Sequence, residues 1–130
     1  MKVIDGTNAI LGRLASYSAK QALRGEEIAI VNVEKIIITG NREDIKSDFL
    51  ASKKRVGSTQ QGPKISNSSE KIVKRVIRGM LPEHRWGRGK EALKRIKCYV
   101  GVPKEFEKEK KIVAGKEKGN KFIYVKDILR

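Results

Sequence analysis

Residues that form disulfide scaffolds and metal centres are nearly missing from this sequence of 130 residues. It has one cysteine, Cys98, and one histidine, His84, so neither a disulfide framework nor a histidine-based metal cluster is expected. The longest mainly apolar runs, such as residues 28–33, are far shorter than the about 20 residues that cross a bilayer. Residues 1–5 lack the apolar stretch of a signal peptide. We therefore expect a cytoplasmic protein that has no metal, no cofactor and no membrane partner.

The sequence motifs of nucleotide-using enzymes are also missing. The chain has no Gly-x-x-x-x-Gly-Lys-Ser/Thr loop, and no Gly-x-Gly-x-x-Gly follows its first predicted strand. Cys98 with His84 is a conceivable nucleophile pair, and Asp5 ends the first strand, where α/β enzymes often place functional groups. A buried structural cysteine and a turn-forming or helix-capping aspartate are the better interpretations. We expect no catalysis and no small-molecule substrate, and keep a nucleotide-using or RNA-modifying α/β enzyme as a competing hypothesis.

Acidic residues are half as common as basic ones, with 15 Asp and Glu against 30 Lys and Arg, which gives a formal net charge of +15. A compact domain of that charge repels itself unless a polyanion neutralises it. Residues 1–52 carry 7 basic and 7 acidic side chains, residues 53–98 carry 14 and 3, and residues 99–130 carry 9 and 5. This pattern predicts a neutral scaffold followed by a nucleic-acid contact surface. Charge alone leaves RNA and duplex DNA both open as the partner.

The first 40 residues have the pattern of an α/β fold. Apolar residues at helical spacing predict a helix over residues 11–23, with Thr7 or Asn8 as its cap. The β-branched runs 28–33 and 36–38 lack polar alternation, which is typical of strands that are buried on both faces. Strands that alternate with helices predict a parallel sheet with crossover helices.

The rest of the chain adds further helices and strands. Gly25 suits the left-handed stop of the first helix. The pattern predicts a helix from the cap Asn41 to about Lys53, helices over 69–78 and 88–96, and strands over 98–100 and 122–125. Residues 53–64 are polar, basic and glycine-bearing, and we expect them to form an extended loop or hairpin.

The third predicted helix carries its charges and its apolar residues on separate faces. One face has the four cations at spacing i, i+3, i+4 and i+7, which are Lys71, Lys74, Arg75 and Arg78. The other face has Ile72, Val73, Val76 and Ile77. Only Glu70 balances the cations, so we expect one face to pack and the other to contact phosphates.

The run of residues 84–90 is the most suggestive short segment. Arginine forks grip phosphates at two points and also stack on bases. Gly87 and Gly89 are expected to let the backbone approach a sugar-phosphate chain closely. Trp86 either stacks on an unpaired base, a contact worth about 1–3 kcal/mol, or packs on the domain, and the sequence leaves both possibilities open.

Several runs together resemble one family, the thirteenth protein of the large ribosomal subunit. They are Val-Ile-Asp-Gly at 3–6, Leu-Gly-Arg-Leu-Ala-Ser at 11–16, residues 31–41, Arg-Gly-Met-Leu-Pro at 78–82, Gly-Arg at 87–88 and residues 92–101. The resemblance covers roughly residues 2–103. Segment 51–65 and the tail from Pro103 depart from the bacterial members and are similar to the archaeal and eukaryotic branch. The short chain favours the archaeal one.

The resemblance implies a single domain over residues 1–130 with a three-layer α/β/α fold, a mainly parallel four-stranded sheet, a basic loop or hairpin extension and a variable tail over 103–130. It implies a structural, non-catalytic protein that binds large-subunit ribosomal RNA, supports subunit assembly and translation, and touches neighbouring large-subunit ribosomal proteins. A DNA-binding or chromatin-type protein is the third hypothesis. The residues that we expect to contact RNA are Arg13, Lys53, Lys54, Arg55, Lys64, Lys71, Lys74, Arg75, Arg78, His84, Arg85, Trp86, Arg88, Lys90, Lys94, Arg95 and Lys97. For Arg13, a helix-surface salt bridge is an equal alternative.

Overall fold

The computed structural model describes residues 1–55, 64–115 and 121–128. Its strands are β1 (Lys2–Asp5), β2 (Ile28–Val31), β3 (Ile37–Thr39), β4 (Ile96–Cys98), β5 (Lys111–Val113) and β6 (Phe122–Tyr124). Its helices are α1 (Leu11–Leu23), α2 (Arg42–Lys54), α3 (Ser69–Met80), α4 (Gly87–Arg95) and α5 (Val125–Ile128). The loop or hairpin predicted within 53–64 lies mostly outside the described residues, since 56–63 are not among them. Within the described ranges, no helix is long and apolar enough to cross a membrane.

Four parallel strands form the central sheet, in the order β4-β2-β1-β5. Ile4 of β1 lies opposite Ile30 on one side and Ile112 on the other. All four residues of β2 are fully buried, because the strand is internal in the sheet and covered on both faces. The predictions of an α/β fold and of a parallel four-stranded sheet are therefore confirmed.

Helices α1, α3 and α4 cover one face of the sheet and form the main core with it. Ile4, Ile28 and Ile30 point to this face and are fully buried. The packing residues of α1 recur at helical spacing, and several of them are alanines, which let the helix lie close to the strands. Each large aliphatic side chain buried here stabilises the fold by about 1.5–3 kcal/mol.

The opposite face of the sheet is covered by irregular chain. Val3, Ala29 and Val31 point to this face and contact Phe106, with Tyr99 beside it. The rings of Tyr99 and Phe106 lie 5.4 Å apart, centroid to centroid. The layer on this face is therefore the segment after β4, which includes one turn of 3₁₀ helix at Lys104–Phe106.

The apolar run 36–38 does not join the parallel sheet, so that part of the prediction is wrong. Strand β3 pairs instead with β6 in an antiparallel two-stranded sheet, where Ile38 lies opposite Ile123. Asn32 has a left-handed backbone with φ 57° and is followed by a 3₁₀ turn at Val33–Lys35. These residues turn the chain away from the sheet directly after β2. The fourth parallel strand is β5, at the end of a charged stretch that gave no strand pattern.

The helix ends show which predicted caps form. Gly25 follows α1 with φ 96°, and the Asn41 side chain accepts a hydrogen bond from the Glu43 N–H at 3.3 Å, so both predictions are confirmed. Thr7 and Asn8 do not cap α1, because the helix begins after Ile10. Thr7 instead donates to Asp5 within a turn.

Helices α2, α3 and α4 and strands β4 and β6 follow the predictions with shifts of one or two residues, whereas α5 was not predicted and begins at Val125, which was expected to be in a strand. Helix α3 runs to Met80, two residues beyond its predicted end. Helix α4 ends at Arg95, since Ile96 already pairs with Ile28 and begins strand β4. The predicted strand at 98–100 therefore begins two residues earlier than expected.

Candidate nucleic-acid interface

Helix α3 separates its apolar and basic faces as the sequence predicts. Val73 and Ile77 are fully buried in the core. Lys71, Arg75 and Arg78 are exposed, and Lys74 is half-buried. The helix is thus anchored on one side and presents a row of cations on the other.

These cations line a groove of about 520 Å³ between α3, the segment before it and α4. The side chains around it are Lys64, Ser66, Lys71, Lys74, Arg75, Arg78 and Leu93. The described lining contains five cations and no carboxylate. Cations that lie close together without a counter-charge create a positive potential that attracts phosphates. Ser66 and Leu93 had no distinguishing signal in the sequence, because the fold alone brings them beside α3.

Contacts with α3 and with α2 hold the segment that follows residue 63. The Arg75 guanidinium donates to the backbone carbonyl of Lys64 at 3.4 Å. The Lys53 ammonium donates to the Asn67 side chain and also lies 4.8 Å from the centre of the Phe49 ring. Lys53 therefore has an internal role in addition to its charge, whereas Lys54 and Arg55 are exposed at the end of α2.

A second, mainly apolar cavity of about 300 Å³ adjoins the groove between α2 and α3. Its lining consists of Phe49, Ser52, Arg55, Ile65, Ile72, Arg75 and Val76. Arg75 borders both cavities, so the basic row of α3 has phosphate-attracting surface on one side and apolar surface on the other.

Trp86 lies on the surface immediately before α4. It is 64% exposed, and its Nε1–H donates to the Glu83 carboxylate. Of the two possibilities left open by the sequence, the structure excludes packing in the core. Arg85, Arg88 and Lys90 are exposed around it, and His84 is half-buried. The indole ring is thus available for stacking among cations.

The two glycines of this segment have different roles. Gly87 has φ 66°, and a side chain there would meet no atom within 4 Å. Gly89 is buried, and a Cβ at that position would overlap the carbonyl oxygen of Pro82. Gly89 is therefore required for the contact between the 82–83 turn and α4, and only Gly87 leaves its backbone open to a partner.

Arg95, Lys97 and Arg13 are expected contact residues that do not line the groove. The Arg95 guanidinium donates to the Ala22 carbonyl at the end of α1 at 3.1 Å and lies 3.8 Å from Glu91. Lys97 lies opposite Ala29, on the sheet face that α1, α3 and α4 do not cover, because side chains alternate along a strand. Arg13 lies on the exposed side of α1, and no ion pair among the described residues includes it. The salt-bridge alternative for Arg13 is therefore not realised there.

The two groups considered for catalysis are both held in structural roles. The Asp5 carboxylate accepts hydrogen bonds from the Thr7 N–H, the Thr7 hydroxyl and the Asn32 amide. Burial acts to raise the pKa of Asp5, but these hydrogen bonds outweigh it and the pKa is lowered. Burial raises the pKa of the Cys98 thiol to about 12, so the nucleophilic thiolate is scarce at neutral pH.

Residues 1–105 match the sequence profile of the family described as ribosomal protein L13. A Methanopyrus kandleri protein named large ribosomal subunit protein uL13 is 48% identical over 105 residues, which are 81% of this chain and 65% of that protein. The Methanococcus maripaludis protein of the same name is 51% identical over 106 residues, 79% of this chain and 77% of that protein. The one from Methanococcoides burtonii is 38% identical in an alignment that covers 100% of this chain and 96% of that protein. The match thus spans just under two thirds of the first relative, all three relatives are archaeal, and the chain belongs to the ribosomal protein L13 family.

Proposed function

We propose that this protein binds large-subunit ribosomal RNA and helps the large subunit to assemble, with the α3 groove and the turn before α4 as its main contacts. The observation that supports this most strongly is the groove of five cations without a carboxylate, in a chain that belongs to a ribosomal-protein family. The cations of the groove have the charge that attracts the phosphates of an RNA backbone. The exposed Trp86 ring suits an unpaired base, because bases stack on aromatic side chains.

Membership of a ribosomal-protein family also identifies the chain as a structural protein and not an enzyme. We extend the proposal to its surroundings: neighbouring large-subunit proteins as further partners and the cytoplasm as its location. The alternative function is binding to duplex DNA, since phosphates attract lysine and arginine in either polymer.

Binding of the free protein to large-subunit ribosomal RNA and to duplex DNA at matched salt tests the proposal. A groove variant, Lys71→Gln/Arg75→Gln/Arg78→Gln, is compared with a control variant, Lys35→Gln/Lys108→Gln/Lys110→Gln. Both remove three exposed cations, so the net charge changes equally. We expect the groove variant to lose at least tenfold more RNA affinity than the control variant.

Equal losses in the two variants would show that only net charge matters and would contradict the groove. Equal or tighter binding to duplex DNA would contradict RNA as the partner. A saturable rise in melting temperature with ATP or S-adenosylmethionine, tested on the same protein, would instead revive a nucleotide-using role.

A further inference from the structure

Helix α1 presents a second basic surface that is separate from the groove. Arg13, Tyr17 and Lys20 are exposed, and Arg24, the residue that ends the helix, is exposed as well. Their spacing of i, i+4, i+7 and i+11 places them within about 60° of arc, at about 100° per residue. We call these four residues the α1 strip. Eleven residues of helix extend about 16 Å, so the strip is long enough to face several successive phosphates.

No carboxylate lies on the helix between the cations of the strip, and the next acidic residues in the sequence are Glu26 and Glu27, beyond Arg24. Helix α1 contains no acidic residue, although residues 1–52 as a whole carry 7 acidic side chains and are neutral. Of those acids, Asp5 accepts hydrogen bonds in its turn and Glu34 accepts from the Gly101 N–H. Glu26 pairs with Lys2 just beyond the end of the strip, and Glu27 beside it is exposed. Three more, Glu43, Asp44 and Asp48, lie on α2. Residues 1–52 are therefore neutral in sum, but in the folded protein the cations of the strip and most of the acidic side chains lie in different places.

The cations of the strip form no ion pair within the part of the chain that the structure describes. Among the described residues, the ion pairs join Lys2 to Glu26, Arg42 to Asp127 and Arg95 to Glu91. None of them uses Arg13, Lys20 or Arg24. Tyr17 lies between the cations with 39% of its surface exposed, which leaves its ring open to a flat partner.

We propose that the α1 strip is a second RNA-binding surface, which contacts the sugar-phosphate backbone of another segment of the same large-subunit RNA, with Tyr17 against a ribose or an unpaired base. This inference rests on the RNA binding proposed above. No residue of α1 lines the groove, because the buried side of α1 faces the sheet and α3. The protein would therefore join two RNA segments instead of gripping one.

An acidic protein is the less suitable partner for this surface. Protein interfaces usually have an apolar centre that is depleted of charge. On the strip the cations lie along its whole length, and Tyr17 is its only aromatic residue. Arginine, lysine and tyrosine together are the side chains that contact phosphates and stack on bases.

The test uses a strip variant, Arg13→Gln/Lys20→Gln/Arg24→Gln, beside the groove variant and the control variant defined above. Each protein is bound to archaeal large-subunit RNA over a range of salt concentrations, and the protected nucleotides are mapped by hydroxyl-radical footprinting. We expect the strip variant to lose about tenfold or more in affinity. The slope of log K against log salt should become shallower by about 2 to 3, because about 0.7–0.9 is lost per phosphate contact.

The footprint separates the two surfaces. The strip variant should lose protection in one RNA segment and keep the segment that the groove variant loses. A second variant, Arg13→Lys/Arg24→Lys, keeps the charge and should keep both the slope and the footprint, which guards against a fold defect in the first variant.

Two failures are distinguishable. If the unmodified protein shows no preference for large-subunit RNA, the proposed function itself fails. If it binds and the groove variant weakens, but the strip variant behaves like the control variant, only the second surface is overturned. Loss of a neighbouring protein from reconstituted particles, with RNA affinity and footprint intact, would also overturn it in favour of a protein contact.

Discussion

Lys94 and Arg95 are adjacent on α4, yet the fold gives their charges different surroundings. Lys94 is exposed, whereas the Arg95 guanidinium is half-buried and donates to the Ala22 carbonyl at the end of α1. The Ala22 carbonyl also accepts from the Gly25 N–H at 3.1 Å, and a cation at a helix C-terminus suits the helix dipole. Sequence reasoning placed both residues at an RNA contact, because a charge pattern does not show which cation the fold uses internally.

Replacing Arg95 therefore affects stability more than RNA binding. We expect Arg95→Gln to lower the free energy of unfolding by about 1–2 kcal/mol, since a hydrogen bond from a charged donor to a buried acceptor is lost. Lys94→Gln should change it by less than about 0.5 kcal/mol. Urea unfolding of the two variants measures the difference. The same midpoint for both would mean that Arg95 does not support α1.

Cys98 allows a second test at the level of one residue. Burial raises the pKa of its thiol to about 12 from an ordinary value of 9.0. A pKa higher by about 3 leaves about a thousandfold less thiolate at pH 8, and alkylation requires the thiolate. We expect iodoacetamide to label the folded protein about a thousandfold more slowly than the urea-unfolded chain, as followed by mass spectrometry. The chain has no other cysteine, so comparable rates in the two states would contradict the protection of the half-buried Cys98 thiol.

The same shift implies a pH dependence of stability. The folded state keeps the Cys98 proton more tightly than the unfolded chain does. Stability from this group is therefore complete below about pH 9 and is lost as the pH rises from 9 towards 12. Cys98→Ala should flatten that part of the curve, and a curve that the substitution leaves unchanged would show that other groups determine it.

Among the elements, α2 is the least anchored of the long helices. Its apolar residues reach the neighbouring elements, but none of its residues is buried, and Leu50 is 51% exposed. Helix α1 has the same length of 13 residues and buries seven of them. Local opening requires less free energy where few apolar contacts are broken.

We expect the amide hydrogens of α2 to exchange with deuterium faster than those of α1 in the free protein. Mass spectrometry of peptides from the two helices measures this, and their equal length makes α1 the internal reference. When RNA is added, α2 should gain protection, because its C-terminal end carries Lys54 and Arg55 beside the groove region. Equal protection of both helices in the free protein would contradict the weak anchoring.

The elements also show what the sequence determines. In α1 and α3 the apolar residues recur over several helical turns, so the periodicity of the sequence predicts both the position of the helix and its buried face. The run 36–38 was assigned to the wrong sheet, because apolar residues indicate burial but not the strand partner. Strand β5 was missed, since three residues within a charged stretch carry no periodicity. The groove itself required the fold, because Lys64, Leu93 and Arg78 are far apart in sequence.

At the scale of the molecule, the excess positive charge lies on particular surfaces of the fold and is not spread evenly over it. The net charge of +15 repels itself in the free protein and destabilises the compact state. In the proposed RNA complex, the same cations would bind phosphates. We therefore expect salt to have opposite effects on the free protein and on the complex, because it screens both interactions.

We expect the melting temperature of the free protein to rise between about 0.05 and 0.5 M NaCl, as screening at a Debye length of about 4–14 Å weakens the repulsion. Over the same range the affinity for large-subunit RNA should fall steeply. If about 10 phosphates are contacted, the slope of log K against log salt lies near −7 to −9. The groove variant links the two effects: with three cations removed it should melt at a higher temperature in low salt and show a shallower slope. A slope shallower than about −2 for the unmodified protein would mean that the basic surfaces are not its main contacts with RNA. A groove variant that melts at a lower temperature in low salt would mean that these cations stabilise the fold and do not destabilise it by repulsion.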